Sequence, residues 1–367
     1  MTAILPAGSN HTRLWGLTPR ERLARMAAKR DLEFASGPGG GPLIANLDFV
    51  FDPAWLTLIM RRPEQVVTFG GMPVLAHSED LDTRLALTLA MREDRAADVA
   101  GLSVIAFEES GSLQNEELRK RERPFMGRLT PDTVRALERE SYFGAYKGVT
   151  DVLTKYLWPE WALVLTRLAA RWRITPNQVT TIGALLCIAA TFLFLHGWFW
   201  TGLAAGLIFM VLDTVDGKLA RCTLTSSSIG NIFDHGIDLV HPPFWWWAWG
   251  VGLHTYGRPL SEATFWWVLA AIVGGYVVQR AIEGAFIARF KFHIHVWRRF
   301  DSWFRLITAR RNPNMVILFA SLAVGRPDWG LIAVAGWTVS SLLVHTVQLV
   351  QALAARSRGR AVTSWLA

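Results

Sequence analysis

The sequence predicts an integral-membrane α-helical protein: six transmembrane helices preceded by a small α/β cytoplasmic domain. Three observations lead there. Of 367 residues, 51% are hydrophobic, with 18 Trp and 20 Phe, which is more apolar than an ordinary soluble domain. The apolar residues are unevenly spread, since 1–142 is mixed and charged while long apolar runs dominate from about Asn177. Finally, the stretch DTVDGKLARCTLTSSSIGNIFDHGID, Asp213 to Asp238, sets four aspartates among those runs. Carboxylates in such surroundings are costly and mark a functional site. The chain is therefore divided at 142/143 into a cytoplasmic domain with its connector and a membrane domain.

The N-terminal segment MTAILPAGSNHTRLWG lacks a basic stretch followed by an apolar one. No cleavable signal peptide is expected, and the first domain should stay in the cytoplasm. Helices are predicted at Pro131–Glu140 and roughly Asp151–Trp172. The second should lie along the membrane interface, anchored by Tyr156, Trp158 and Trp161.

A span needs about 20 mostly apolar residues. Six candidates follow, at roughly 177–196, 199–220, 230–253, 263–285, 313–325 and 329–353. The fifth is short and the third carries charge at its start. Arg171 and Arg173 precede the first span. Arg289, Lys291, Arg298, Arg299, Arg305, Arg310 and Arg311 lie between the fourth and fifth, and Arg356, Arg358 and Arg360 follow the last. The opposite loops carry only Arg258 and Arg326. The positive-inside rule then puts both termini in the cytoplasm of a multi-pass cell (inner) membrane protein. The formal charge of +8 reflects these loops, and no nucleic-acid-binding motif accompanies it. Two cysteines, Cys187 and Cys222, make neither a disulfide framework nor a metal pattern. The run PPFWWWAW, Pro242 to Trp249, ends about 22 Å along a helix from Asp234. Its aromatics are expected in an interfacial belt, beyond a proline kink.

Asp213 and Asp216 are i,i+3 neighbours at the end of the second span. Asp234 and Asp238 are i,i+4 neighbours at the start of the third. Each pair shares a helical face, and an antiparallel reversal brings the pairs together at the cytoplasmic surface. Four close carboxylates cannot all stay ionised without a counter-charge. Hard oxygen ligands suit Mg²⁺, Mn²⁺ or Ca²⁺, and two such ions can clamp a nucleotide's phosphates. Gly217 and Ala220 are small enough for a ligand to approach the backbone, Arg221 can pair with phosphate, and Gly230 lets the third span begin against the ligand.

The pattern D-x-x-D-G-x-x-A-R, eight residues, then G-x-x-x-D-x-x-x-D resembles that of the CDP-alcohol phosphotransferases. Every fixed position is present: Asp213, Asp216, Gly217, Ala220, Arg221, Gly230, Asp234 and Asp238. The earlier ITPNQVT is similar to the family's entry to its first helix at Pro176, Asn177 and Thr180. The resemblance covers roughly 145–355. It implies transfer of a substituted phosphate from a CDP-linked donor to an alcohol acceptor, with release of CMP, in phospholipid or related lipid synthesis. It further implies two divalent ions, Mg²⁺ or Mn²⁺, held by Asp213, Asp216 and Asp234 with Asp238 beside them. Asp238 would take the acceptor's proton. Asn177, Thr180, Asp213, Gly217, Ala220, Arg221 and Gly230 would form the nucleotide site, and the protein would be a homodimer among membrane lipids.

RRFDSWFRLITARRNPN, Arg298 to Asn314, reads as a cytoplasmic basic loop with an interfacial helix. Arg310 and Arg311, on the aspartates' side, are candidate acceptor-binding residues. His293 and His295 are expected in a solvated loop. In the first domain, AGSNHTRLWGLTPRERL resembles the opening of sugar-nucleotidyltransferases at Gly8, Thr12, Arg13 and Leu14, and LIANLDFVFDP resembles their metal-binding strand, with Asp48 in the metal position. Only about 20 residues separate the two, too few for the strands that hold a base. Arg13, Arg20 and Arg22 can supply charge to a phosphate, yet the base pocket is missing. The expectation is a degenerate nucleotidyltransferase-like domain; the alternative is a bifunctional enzyme that also makes its CDP-alcohol. Two other classes compete with the enzyme as a whole, a cation-coupled transporter and an inactive scaffold. Transporter sites lie near the midplane, whereas these aspartates lie at span ends.

Overall fold

The computed structural model describes residues 3–97, 101–115 and 118–367. Its first part is an α/β unit. Strands β1 (Ala3–Ala7), β2 (Glu33–Phe34), β3 (Leu43–Asn46), β5 (Gln65–Phe69), β6 (Met72–His77) and β7 (Ser103–Ala106) form one sheet in the order β2-β1-β3-β6-β5-β7. β1 runs parallel to β2 and β3, while β6 is antiparallel to both β3 and β5. Helix α1 (Pro19–Ala28) makes the crossover from β1 to β2. It starts at a capping box in which Thr18 and Glu21 satisfy each other's backbone amides, removing two orphan donors. α2 (Pro53–Met60) and α3 (Leu81–Arg92) complete the unit, capped by Asp52 and Asp80. β4 (Phe49–Phe51) pairs with β10 (Met126–Arg128), and β8 (Leu113–Asn115) pairs with β9 (Lys120–Glu122). Between α1 and β3 the only strand is the two-residue β2.

α4 (Val134–Gly144) lies across the expected 142/143 division. The predicted helix over 151–172 is instead two pieces: a π-helical turn at Leu153–Leu157 and α5 (Pro159–Arg171). Trp158, at the join, is buried and donates its indole N–H to Thr214 Oγ1 at 3.2 Å, so it is a core residue rather than an interfacial anchor. α5 turns Trp161, Val164, Leu165, Leu168 and Trp172 outward and buries Ala162, Leu163, Thr166 and Ala169. Its outer face thus has the apolar character of an interfacial helix.

Six long or apolar helices follow: α6 (Pro176–Leu195), α7 (Phe199–Cys222), α8 (Ser228–Tyr256), α9 (Glu262–Phe290), then, after the short α10 (Arg299–Phe304), α11 (Arg311–Ala323) and α12 (Pro327–Ser357). α6, α9 and α12 are long and apolar enough to cross a membrane, so the chain is a multi-pass membrane protein. α7 and α8 carry the aspartates, and α11 has 13 residues. α6 exposes Ile182, Leu185, Ile188 and Phe192 along one side, the stripe that would meet lipid.

The aromatics of α8 correct the belt expectation. Trp245, Trp246 and Trp249 are at most 2% exposed and sit in the main core with Phe194, Phe199, Phe209, Met315 and Leu331. Trp245 donates to the Cys187 carbonyl at 3.0 Å and Trp249 to the Pro327 carbonyl at 3.1 Å. A buried indole needs such a partner, and these two bonds tie α8 to α6 and α12. α8 runs unbroken through Pro242 and Pro243.

Close helix approach is concentrated at Gly252. A Cβ there would stand 1.8 Å from the Phe194 carbonyl oxygen, a backbone atom that cannot step aside. Gly252→Ala should therefore lower the thermal unfolding temperature in detergent. Overpacking costs about 1–3 kcal/mol, which outweighs the ~1 kcal/mol that Ala gains over Gly in a helix. Gly274→Ala, where nothing lies within 4 Å, should leave the temperature unchanged or raise it.

Candidate metal and nucleotide site

The site is built where the C-terminal part of α7 meets the start of α8. The residues between them, Thr223–Ser227, reverse the chain, and Ser227 caps α8 by accepting from the Gly230 amide. Asp213, Asp234 and Asp238 each present a carboxylate oxygen within 4.8 Å of the others. The predicted convergence of the two helical pairs is thus present for three of the four aspartates. Asp216 stands apart, buried and engaged: Thr180 Oγ1 donates to its Oδ2 at 2.7 Å, and the Gly217 amide donates to its Oδ1 at 2.5 Å. Thr180 therefore acts here as the link from α6 to the α7 motif.

The small residues lie where the motif needs them. At Gly230 a Cβ would come within 2.9 Å of Asn177 Oδ1, so glycine permits the start of α8 to pass against the start of α6. At Gly217 a Cβ would lie 3.1 Å from Arg221 Nη2, so this turn of α7 is filled by the arginine of its own motif. Arg221 Nε donates to the Ala145 carbonyl at 3.2 Å. Ala220 is half-buried on the same helix. Three converging hard carboxylates fit an oxygen-preferring divalent cation.

A cation of the protein already reaches this group. Arg311, the first residue of α11, donates through Nη1 to Asp238 Oδ1 at 2.6 Å and through Nη2 to Asp213 Oδ2 at 2.8 Å. Its guanidinium carbon lies 4.7 Å from the Phe209 ring centroid, and its Nε donates to Asn312 Oδ1 at 3.1 Å. Arg310, its neighbour, turns elsewhere: its Nη2 is 2.6 Å from both Glu283 oxygens and 3.2 Å from His295 Nε2. The two arginines proposed together from the sequence thus serve different carboxylates.

Sequence reasoning missed the surroundings of Glu283. This residue also accepts from Arg280 at 2.8 Å and lies with His295 and His345 in a compact group. His295 is 2% exposed, not solvated as expected, because the segment Ile294–Val296 folds as a short 3₁₀ turn against α9 and α12. Burial pushes the His295 imidazolium well below its usual range. Arg305 is buried too, and its Nε and Nη1, with Arg310 Nε and Arg280 Nε, have no hydrogen-bond partner among the described residues. Glu283 and His345 inside apolar spans were the available signal, since ionisable residues there are costly.

Lys147, from the YKGVTD segment, lies near the aspartates. Burial and the neighbouring Arg119 and Arg221 push its ammonium down to about 8, while Asp234 and Asp213 act in the opposite direction. The segment is held in place from both sides. The Gly148 amide donates to the Leu118 carbonyl at 2.8 Å, and Lys218 donates to the Ala145 carbonyl at 2.9 Å with its ammonium 3.3 Å from the Tyr146 ring centroid. In the first domain, Arg22 does not face a phosphate loop. It is buried and donates to the Cys222 carbonyl at 2.8 Å, while Arg25 donates to the Thr223 carbonyl at 2.6 Å.

Comparison with known proteins agrees with the motif. Residues 173–301 match the family described as CDP-alcohol phosphatidyltransferase. The zebrafish (Danio rerio) protein named cholinephosphotransferase 1 is 32% identical over 127 residues, 32% of this chain and 32% of its own. The chicken (Gallus gallus) cholinephosphotransferase 1 is 34% identical over 127 residues, 32% of this chain and 36% of its own. Choline/ethanolaminephosphotransferase 1 of Arabidopsis thaliana is 32% identical over 163 residues, 40% of this chain and 39% of its own. The chain thus spans about a third to two fifths of the length of these curated relatives. All eight fixed residues of the aspartate motif fall within residues 173–301, the segment that is similar to the CDP-alcohol phosphatidyltransferase family.

Proposed function

We propose that the protein transfers a substituted phosphate from a CDP-linked donor to an alcohol acceptor and releases CMP, in membrane lipid synthesis. The observation that carries this is the convergence of Asp213, Asp234 and Asp238 at the meeting of α7 and α8, within an unbroken family motif. The relatives are named for moving phosphocholine and phosphoethanolamine. Their names favour a donor that carries a small alcohol and an acceptor that is the lipid.

Asp213, Asp216 and Asp234, with Asp238 beside them, would hold two divalent ions, Mg²⁺ or Mn²⁺. When bound, the ions offset charge on the diphosphate and on the transition state. The protein's own part is positioning. Thr180 and the Gly217 amide fix Asp216. Asn177, Gly217, Ala220, Arg221 and Gly230 would receive the cytidine half of the donor. Asp238 would accept the proton of the acceptor hydroxyl. That oxygen forms a bond to the phosphorus distal to cytidine, the bond from this phosphorus to the bridging oxygen breaks, and CMP departs. On the acceptor side, Arg310 with Arg280 and Arg305 makes a basic cluster whose buried Nε and Nη1 groups have no partner among the described residues, suited to an acidic group. We assign that role to Arg310 rather than Arg311, whose two terminal nitrogens are engaged by aspartates.

All six helices α6–α9, α11 and α12 would cross the inner cell membrane with both termini cytoplasmic, and the protein would be a homodimer. The first domain would be nucleotidyltransferase-like and degenerate. The single short strand between α1 and β3, and the use of Arg22 to hold the end of α7, support that reading over an active cytidylyltransferase.

Two outcomes test these assignments. Purified protein should release CMP from a CDP-linked donor only with Mg²⁺ or Mn²⁺. Asp238→Asn should lower turnover by about 10²–10⁴-fold, the usual worth of a general base, while CDP still binds by calorimetry; undiminished turnover would remove Asp238 from the role of base. For the first domain, Asp48→Asn should leave CMP release unchanged, and the native protein should form no CDP-alcohol from CTP and a phosphorylated alcohol. Formation of that product, abolished by Asp48→Asn, would make the protein bifunctional.

A further inference from the structure

We infer that Arg311 is the internal counter-cation of the aspartate site and sets its affinity for divalent metal. The inference rests on the metal-site reading above and adds a determinant that the aspartate motif does not contain.

Arg311 forms ion pairs with two of the three converging carboxylates, and those two come from different helices, Asp213 from α7 and Asp238 from α8. Both contacts are hydrogen bonds from separate nitrogens of one planar group, so a single rigid fork spans the gap between the helices. Charge-assisted bonds of this kind are the strong ones, and a guanidinium does not give up its proton to escape them. The side chain is nearly inaccessible, at 11% exposure. It is steadied by the Phe209 face and by Asn312, whose own amide donates to Thr154 Oγ1 at 3.2 Å. This arginine is therefore fixed in place rather than sampling solvent.

Its position has two consequences of opposite sign for metal. Without a cation, clustered carboxylates repel, and Arg311 supplies the charge that lets α7 and α8 stay together. A divalent ion entering among Asp213, Asp234 and Asp238 meets that positive charge within the same first layer of carboxylates. It must either compete for Asp213 Oδ2 and Asp238 Oδ1 or accept the remaining oxygens with a cation alongside. In both cases Arg311 weakens metal binding. The empty site is kept intact at the expense of affinity, so metal is held firmly only when the donor's diphosphate adds negative charge.

The test needs no substrate. Mn²⁺ binding to detergent-solubilised full-length protein is measured by electron paramagnetic resonance and calorimetry, alongside thermal unfolding with and without Mn²⁺. Arg311→Gln should bind Mn²⁺ about tenfold or more tightly than the native protein. Its metal-free form should unfold earlier, and its gain in unfolding temperature on adding Mn²⁺ should be larger. Arg311→Lys retains one charge but cannot bridge both carboxylates, so its affinity should fall between the two; it also serves where Arg311→Gln does not fold. Equal or weaker Mn²⁺ binding in both variants would overturn the inference and make Arg311 an orienting residue for the ligands. Absence of Mn²⁺ binding to the native protein, with none gained in either variant, would instead sink the metal-site reading itself.

Discussion

The repulsion among carboxylates gathered at the meeting of two helices is the constraint on which this structure depends. Unpaired, Asp213, Asp234 and Asp238 within 4.8 Å of one another would push α7 and α8 apart. The protein answers with several partners of different kinds. Arg311 gives charge to Asp213 and Asp238. Thr180 and the Gly217 amide give hydrogen bonds to Asp216, so the fourth carboxylate has partners of its own. Lys147 and Arg221 add a positive field beside the aspartates. The partners come from several elements, so the site can be complete only when α6, α7, α8, α11 and the connector are all in place.

The first domain takes part in that assembly through backbone carbonyls. A helix leaves its last carbonyls without intrahelical donors, and their partial negative charge favours cations. At the end of α7, Arg22 and Arg25 donate to the carbonyls of Cys222 and Thr223. The first half of the aspartate motif lies on this same helix, so the domain fixes the end of the segment that carries it. A shared core supports the docking: Leu14 and Trp15 pack with Tyr142, Leu163, Val179, Val215 and Leu219, and Trp15 donates to Ser141 at 2.8 Å. The first domain is thereby structurally integral to the helical part.

The parts of the fold legible from sequence were those governed by local patterns. Apolar run length located the helices, and i,i+3 and i,i+4 spacing placed each aspartate pair on one face. What depended on tertiary partners was not legible. Composition cannot tell an indole in an interfacial belt from one in a core, because both want an apolar body and one acceptor. For Trp245 and Trp249 the deciding acceptors are carbonyls on α6 and beside α12, distant in sequence. Trp158 went inward for the same reason, toward Thr214. His295 looked like part of a basic loop, yet its partner Glu283 lies inside an apolar helix twelve residues earlier.

The pair Arg310–Arg311 shows how little sequence adjacency constrains role at a helix start. Arg310 is the cap residue with extended backbone, while Arg311 is already helical, and that change of backbone direction sends the two guanidiniums to opposite sides. One meets Glu283 of α9 and the other meets Asp213 of α7 and Asp238 of α8. The start of α11 is thus a single rigid point from which two charge clusters are held at fixed separation. At Glu283, Arg280 and Arg310 pair with one carboxylate, and N–H groups of Arg280, Arg305 and Arg310 have no hydrogen-bond partner among the described residues. Buried donors without acceptors are expensive, and an anionic ligand would relieve them. An acidic site that wants cations therefore stands beside a basic site that wants an anion, and α11 couples them.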